Sequence, residues 1–284
     1  MPPPYNQRMT DKATPSTTQK LMSYWWAPLT VLAVVLAVLA YLRPYKELEV
    51  ADVSPSVIDS LNTLDKSFGT PVKNSYKYST RRTYSSPNGP IEVEIRMKLS
   101  PLGGGLVMRQ DDWYDLKDKN IVYQERFILF RNIFSLYRRS REVAPLVHDL
   151  MGRVGWYNDT LQSLESEVKG GQAESPSWAM DVTTERLSET EGKGLTRQTT
   201  PYQRRLHCER SGEVEGSAIG STFKGSYPKI SCRIVASDQP GERLTNYAYL
   251  PDQGIFLLLG YQQSAEKTEK VEVTGSYVSF EVVP

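Results

Sequence analysis

The chain is poor in the residues that most often carry chemistry. Its 284 residues include two cysteines and two histidines. It has no CxxC motif and no Cys/His ligand spacing, which excludes a zinc-finger or thioredoxin-type site. GxSxG, HExxH and SxxK patterns are absent, so motifs assign no catalytic residue, and neither metal nor cofactor is expected. Gly103-Gly104-Gly105 is not followed by Lys-Ser or Lys-Thr, which excludes a phosphate loop and leaves a flexible connection. The acidic group Asp111, Asp112, Asp115 and Asp118 lacks the spacing and the glycine of a calcium loop, and reads as a solvated strand edge and turn. An excess of one charge is missing too. Thirty-four basic residues face 33 acidic ones, without the basic field that a general nucleic-acid binder needs to neutralise phosphates. No repeat of fixed period is visible.

There is one long uncharged run, Leu21 to Leu42, between Lys20 and Arg43. At ~1.5 Å per residue its length matches the ~30 Å hydrocarbon core of a bilayer. It predicts a transmembrane helix over 21–43, with Trp25 and Trp26 as interfacial anchors at one end and Tyr41 at the other. Residues 1–20, rich in Pro, Thr, Ser and Gln, predict a disordered cytoplasmic tail. A cleaved secretory signal is the competing reading, which the length of the run and of the preceding tail disfavours. Flanking Lys and Arg predict a cytoplasmic N-terminus and a periplasmic or otherwise exported C-terminal domain on the inner membrane.

Beyond the run the expected fold class is α+β, mainly antiparallel β. The expected domains are an α+β domain over 50–170, built as αββββα, and an antiparallel β domain over 176–284. Ser54 to Gly69 carries helix signals: Pro55 suits the first turn, and Val57, Ile58, Leu61, Leu64 and Phe68 form a stripe. Asn88-Gly89 predicts a hairpin between Lys73–Ser85 and Ile91–Ser100, and Lys117 to Asn120 predicts a second turn between Leu106–Leu116 and Ile121–Phe130. Helical spacing from Asn132 to Val168, interrupted at Pro145, predicts the closing helix of this domain. The remainder is β-rich with period-two alternation, including Ile230, Cys232 and Ile234 on one face and a clear alternation over Lys270–Val283.

Three sets of residues are candidates for a role. Cys208 and Cys232 are expected to form a disulfide. His207 beside Cys208 does not make a nucleophile–base pair, because neighbours in a strand point to opposite faces. Arg131, Arg138, Arg139 and Arg141, interleaved with aromatics, are candidates for contact with an anionic partner, against the plainer reading of a solvated helix face. The expected function is a non-enzymatic docking or scaffold component of a cell-envelope assembly of the secretion, pilus or division type. Its expected partners are the lipid bilayer and other membrane or envelope proteins. The alternatives are a membrane-anchored periplasmic carrier of lipid or another apolar ligand, formed by a curved sheet around a helix, and an enzyme whose site is scattered in sequence.

Overall fold

Alternation with period two, not helical spacing, governs nearly the whole chain after residue 70. The computed structural model describes residues 28, 30–35, 48–86, 89–117, 121–142, 156–191, 197–238, 241–264, 271–274 and 277–283. Contacts divide the chain into two units, Met1–Glu47 and Leu48–Pro284.

Within the first unit the described residues, 28 and 30–35, are helical and exposed. Trp25, Trp26 and Tyr41 lie outside the described residues, as does the tail. Among the described residues no helix is long and apolar enough to cross a membrane. A crossing needs ~20 consecutive residues. The expected single-pass span, and the inner-membrane location and orientation inferred from it, are therefore corrected.

The second unit is one sheet. A 3-10 turn (Val50–Asp52) and helix α1 (Pro55–Asp65) precede it. Pro55 opens α1 as expected, and the carbonyl of Ser54 accepts the N–H groups of Val57 and Ile58. Val57, Leu61 and Leu64 are its buried stripe, and Phe68 extends it beyond the helix end. The strands follow: β1 (Ser75–Ser86), β2 (Gly89–Gly103), β3 (Leu106–Asp115), β4 (Ile121–Phe130), β5 (Phe134–Glu142), β6 (Trp156–Lys169) and β7 (Ala179–Glu191). Then come β8 (Arg197–Glu215), the short helix α2 (Gly216–Ile219), β9 (Ser226–Ala236), β10 (Glu242–Leu250), β11 (Ile255–Ser264), β12 (Val271–Thr274) and β13 (Tyr277–Val283). All thirteen strands share one sheet in the order β12 to β1 followed by β13, with β1 to β12 a continuous antiparallel meander.

This corrects the expected fold class. Both predicted hairpins form, with Ser86 opposite Gly89 and Leu106 opposite Phe130. The predicted closing helix does not; β5 and β6 occupy the described part of that segment. Arg131 and Asn132, at positive φ, reverse the chain after β4 and return it as a strand. In β6 the register slips between Leu161 and Ser163, so Leu161 and Leu164, three apart, are both buried. A bulge thus gives a strand the apolar spacing that otherwise marks a helix. The predicted boundary near 170–176 is the β6–β7 turn, where Lys169 pairs with Ala179 inside the same sheet.

The sheet is rolled. β12 and β13 stand at opposite ends of the strand order, yet only residues 275 and 276 separate them. Three steps of ~3.8 Å bring Thr274 and Tyr277 within ~11 Å, so the two ends of the sheet meet there. The last hairpin is consequently buried on both faces. Tyr247, Tyr249 and Phe256 join α1 and the β6–β9 faces in one cluster. Ala248, Leu250, Ile255 and Leu257 join β1–β4 in a second.

One residue fastens the roll. Arg131, fully buried, donates from Nε to Asp65 Oδ1 at 2.8 Å and from Nη1 to the carbonyls of Thr70 and Gly254, each at 2.8 Å. Its own N–H donates to Gly105 O and its carbonyl accepts from Phe256 N–H. The guanidinium lies 4.6 Å from the centre of the Phe68 ring. Gly105 and Gly254, both at positive φ, leave room for it: a Cβ on the first would strike Asp65, and one on the second would strike Thr70 O and Arg131.

Cys208 and Cys232 lie directly opposite one another on β8 and β9, fully buried, and form the disulfide. His207, on the other face, is exposed and its Nδ1 lies 2.7 Å from Asp181 Oδ1.

Two stability experiments follow. Arg131→Met leaves Asp65 and two carbonyls without their donor, and is expected to cost ~3–5 kcal/mol in urea unfolding; a loss below 1 kcal/mol would show that the roll closes without it. Cys208→Ala/Cys232→Ala removes a link across 24 positions, and is expected to cost about 3 kcal/mol, with a larger urea m-value as the unfolded state expands.

Candidate functional site

Rolling the sheet leaves a cavity of about 230 Å³ inside, walled by strands from β3 round to β11. Its apolar side is built by register. Val182, Leu206 and Ile234 stand side by side on β7, β8 and β9, and Phe127, Leu129 and Leu258 face the same space from β4 and β11. Inward positions two and four residues further along these strands are polar. Thr184 and Arg186 continue the Val182 row on β7, and Arg204 precedes Leu206 on β8. Arg243 and Thr245 lead to Tyr247 on β10.

Five guanidiniums reach the cavity: Arg109, Arg138, Arg186, Arg204 and Arg243. Three have carboxylate partners. Arg186 and Asp159, both almost wholly buried, form a two-pronged pair, Nε to Oδ1 and Nη2 to Oδ2 at 2.9 Å each. Nη1 of Arg186 also donates to Ser135 O at 2.8 Å, and Nε to the Tyr202 hydroxyl at 3.1 Å. Arg138 donates to Glu125 at 2.6 and 2.9 Å. Arg109 lies 3.0 Å from Asp111 Oδ1, donates to Asn132 Oδ1 and stacks 4.4 Å from the centre of the Phe127 ring. Burial opposes the charge of Arg186, Arg138 and Arg109, but Asp159, Glu125 and Asp111 respectively, together with nearby tyrosines, hold each pKa above its ordinary value.

The other two differ. Arg204 and Arg243 have no carboxylate partner among the described residues, and the Nε of each is sealed from solvent without an acceptor. Arg204 rests 5.6 Å from the centre of the Tyr202 ring and Arg243 5.7 Å from that of Tyr261. Burial, then repulsion from Arg186, pulls the Arg204 pKa below its ordinary value, and Arg243 adds to the repulsion. Thr245, buried between Arg243 and Tyr247 along β10, has an unpartnered hydroxyl.

The basic residues singled out by sequence separate. Arg138 lines the cavity. Arg131 is committed to fastening the roll and is closed to any partner. Arg141 donates twice to Gln124 on β4, at 2.7 and 3.0 Å. Arg139 lies between Arg138 and Ser140 on β5, opposite Asn158 of β6. The acidic group is also dispersed: Asp111 serves Arg109, Asp112 accepts from Arg126 at 3.2 Å, and Asp118 lies outside the described residues. Among the described residues no group of three or more His, Cys, Asp and Glu is placed to hold a metal. Sequence reading missed Arg109, Arg186, Arg204, Arg243 and Thr245. Their signal was parity, an apolar row that turns basic at the same inward positions on adjacent strands. It becomes visible only once the strand neighbours are known.

Comparison with protein families, curated proteins and solved structures finds no match to this chain, so its function is argued from this geometry.

The Arg186–Asp159 pair separates a structural charge from a free one. Asp159→Asn leaves Arg186 buried and unpaired and is expected to destabilise by ~3–5 kcal/mol in chemical denaturation, most of it recovered on adding Arg186→Met. Equal losses in the single and double variants would show that the pair is not the source of the cost.

Proposed function

We propose that this protein is a non-enzymatic binding or carrier protein that holds a ligand with an apolar part inside its rolled sheet. The observation that carries the reading is the cavity itself: a pre-formed interior space, one side of which is aliphatic and aromatic and the other polar at a few fixed points. That combination is the usual make-up of a small-molecule site, where apolar walls supply affinity and convergent polar groups fix orientation. The apolar side is buttressed by the disulfide, whose sulfurs belong to the adjoining core, and by Trp178 and Phe256 behind α1. A supported wall keeps the space open without a ligand, so little binding energy is lost to ordering it.

Docking by edge-strand pairing has less support. The sheet's end strands, β12 and β13, come together at 274–277, and β12 is four residues long. An enzymatic reading has less support among the described residues: the cysteines are bonded to each other, and His207 faces away from the cavity.

The test is saturable uptake of a neutral apolar fluorophore, N-phenyl-1-naphthylamine, by the purified full-length chain. Leu206→Trp fills the apolar side and is expected to weaken binding at least tenfold, which corresponds to ~1.4 kcal/mol. Native mass spectrometry of the same preparation should show a small-mass adduct lost in the variant. A fluorophore that fails to saturate the wild type, with no adduct present, would overturn the reading.

A further inference from the structure

Resting on the carrier reading and extending it to the class of ligand, we propose that Arg204, Arg243 and Thr245 form the seat for an anionic headgroup, so that the protein binds an anionic amphiphile, a carboxylate or phosphate joined to an apolar chain.

The cavity's charges do not balance. Five guanidiniums line it, and three are matched by Asp111, Glu125 and Asp159. The remaining two are Arg204 and Arg243. Both are half-buried, with Nε sealed from solvent, and a charge drawn partly out of water is costly unless something of opposite sign sits beside it. Arg243 is close enough to disfavour the charge of Arg204. Their positions are nonetheless fixed, since each guanidinium rests on a tyrosine ring, Tyr202 or Tyr261. Arg204 also donates from Nη2 to the Tyr202 hydroxyl at 3.4 Å. The remaining edge donors, the sealed Nε of each arginine among them, are left for an occupant, and the planar fork matches the two oxygens of a carboxylate or phosphate.

Thr245 supplies an independent observation. It is 97% buried, inward on the same strand face as Arg243, and its hydroxyl has neither donor nor acceptor opposite it. Buried hydroxyls in folded proteins almost always have a partner. An oxyanion on the two arginines would accept its proton as well.

The register says where the rest of the ligand goes. Arg243 stands beside Ile234, which stands beside Leu206 and then Val182. A headgroup on Arg243 therefore has an apolar row running away from it across three strands. An anion alone would leave that row bare, and an alkane alone would leave two charges and a hydroxyl unmatched. An amphiphile satisfies both.

The experiment compares ligands that share one chain and differ in headgroup: octanoate, octyl phosphate and octanol, measured by displacement of N-phenyl-1-naphthylamine from the full-length chain. Acetate and inorganic phosphate serve as chain-free anions. The wild type is expected to prefer the octyl anions over octanol at least tenfold. Arg204→Gln/Arg243→Gln is expected to bring that ratio close to one, whereas Arg233→Gln, on the outward face of β9, keeps it. If wild type binds octanol as tightly as the octyl anions, the headgroup seat is overturned while the apolar cavity stands. If acetate or phosphate binds as tightly as its octyl counterpart, the amphiphile is overturned in favour of a small-anion site. If nothing with an octyl chain displaces the fluorophore and the fluorophore itself does not bind, the carrier reading fails and the seat fails with it. Should the double variant not fold, Arg204→Lys and Arg243→Lys replace it; each keeps the charge but loses the fork, and at least a threefold fall in the ratio is expected.

Discussion

A sheet made by meandering has contacts mainly between neighbours in sequence, and nothing in such contacts obliges it to enclose a space. Here that obligation comes from the buried guanidinium of Arg131. It reaches residues 66, 61 and 123 positions away, at the end of α1, in the loop after it and at the tip of the last hairpin. Of these only the Gly254 carbonyl is buried; Asp65 and Thr70 are half-buried at the edge of the core. Taking a guanidinium out of water is expensive, and is tolerated only where its donors are met. Meeting them requires the three segments to converge, and their convergence is the closed state of the sheet. The left-handed turn at Arg131 and Asn132 and the bare Cα of Gly105 and Gly254 are the steric conditions for it.

Once the roll is closed, its interior must be filled. Near α1 it is filled by rings: Phe68 touches Phe130, Trp178 and Phe256, with centroid separations of 5.7, 6.0 and 5.9 Å. Further along the same strands the inward residues become arginine, threonine and tyrosine, and the filling stops. The two ends obey different rules. Rings pack by shape, and their removal leaves a void. Arginines in an interior are placed by charge, and a missing partner leaves a field. Three of the five cavity arginines have that field cancelled by a carboxylate, from a neighbouring strand for Arg138 and Arg186 and from its own strand for Arg109, which makes them part of the wall.

The sequence was informative wherever a local signal decided the structure. The Asn-Gly hairpin, the stripe of α1 and the alternation of β2 depend on residues close together in the chain, and their readings hold. The stretch from Asn132 to Val168 failed because two kinds of evidence coincide there: a bulge at Leu161 gives a strand the spacing of a helix. The disulfide was legible because only two cysteines exist and Cys232 sits on an apolar face. The cavity was not legible. Arg204 and Arg243 are separated by a strand and two turns, and nothing local distinguishes them from solvent-facing arginines such as Arg233. Their roles depend on inward parity and on which strand lies beside which. The apolar run at 21–42 shows the reverse hazard, a strong local signal from which the described residues yield no membrane-crossing helix.

The arrangement has a thermodynamic consequence. Arg204 and Arg243 are half-buried without a carboxylate partner among the described residues, and unfolding returns both to water. An anion that cancels them binds the closed state and not the unfolded chain, so its binding free energy adds directly to stability. Arg131 holds the tip of the β10–β11 hairpin against α1 in that same closed state. For the proposed anionic ligand, binding and closure would therefore be coupled without any moving lid, through the difference between a charge that is partnered and one that is not.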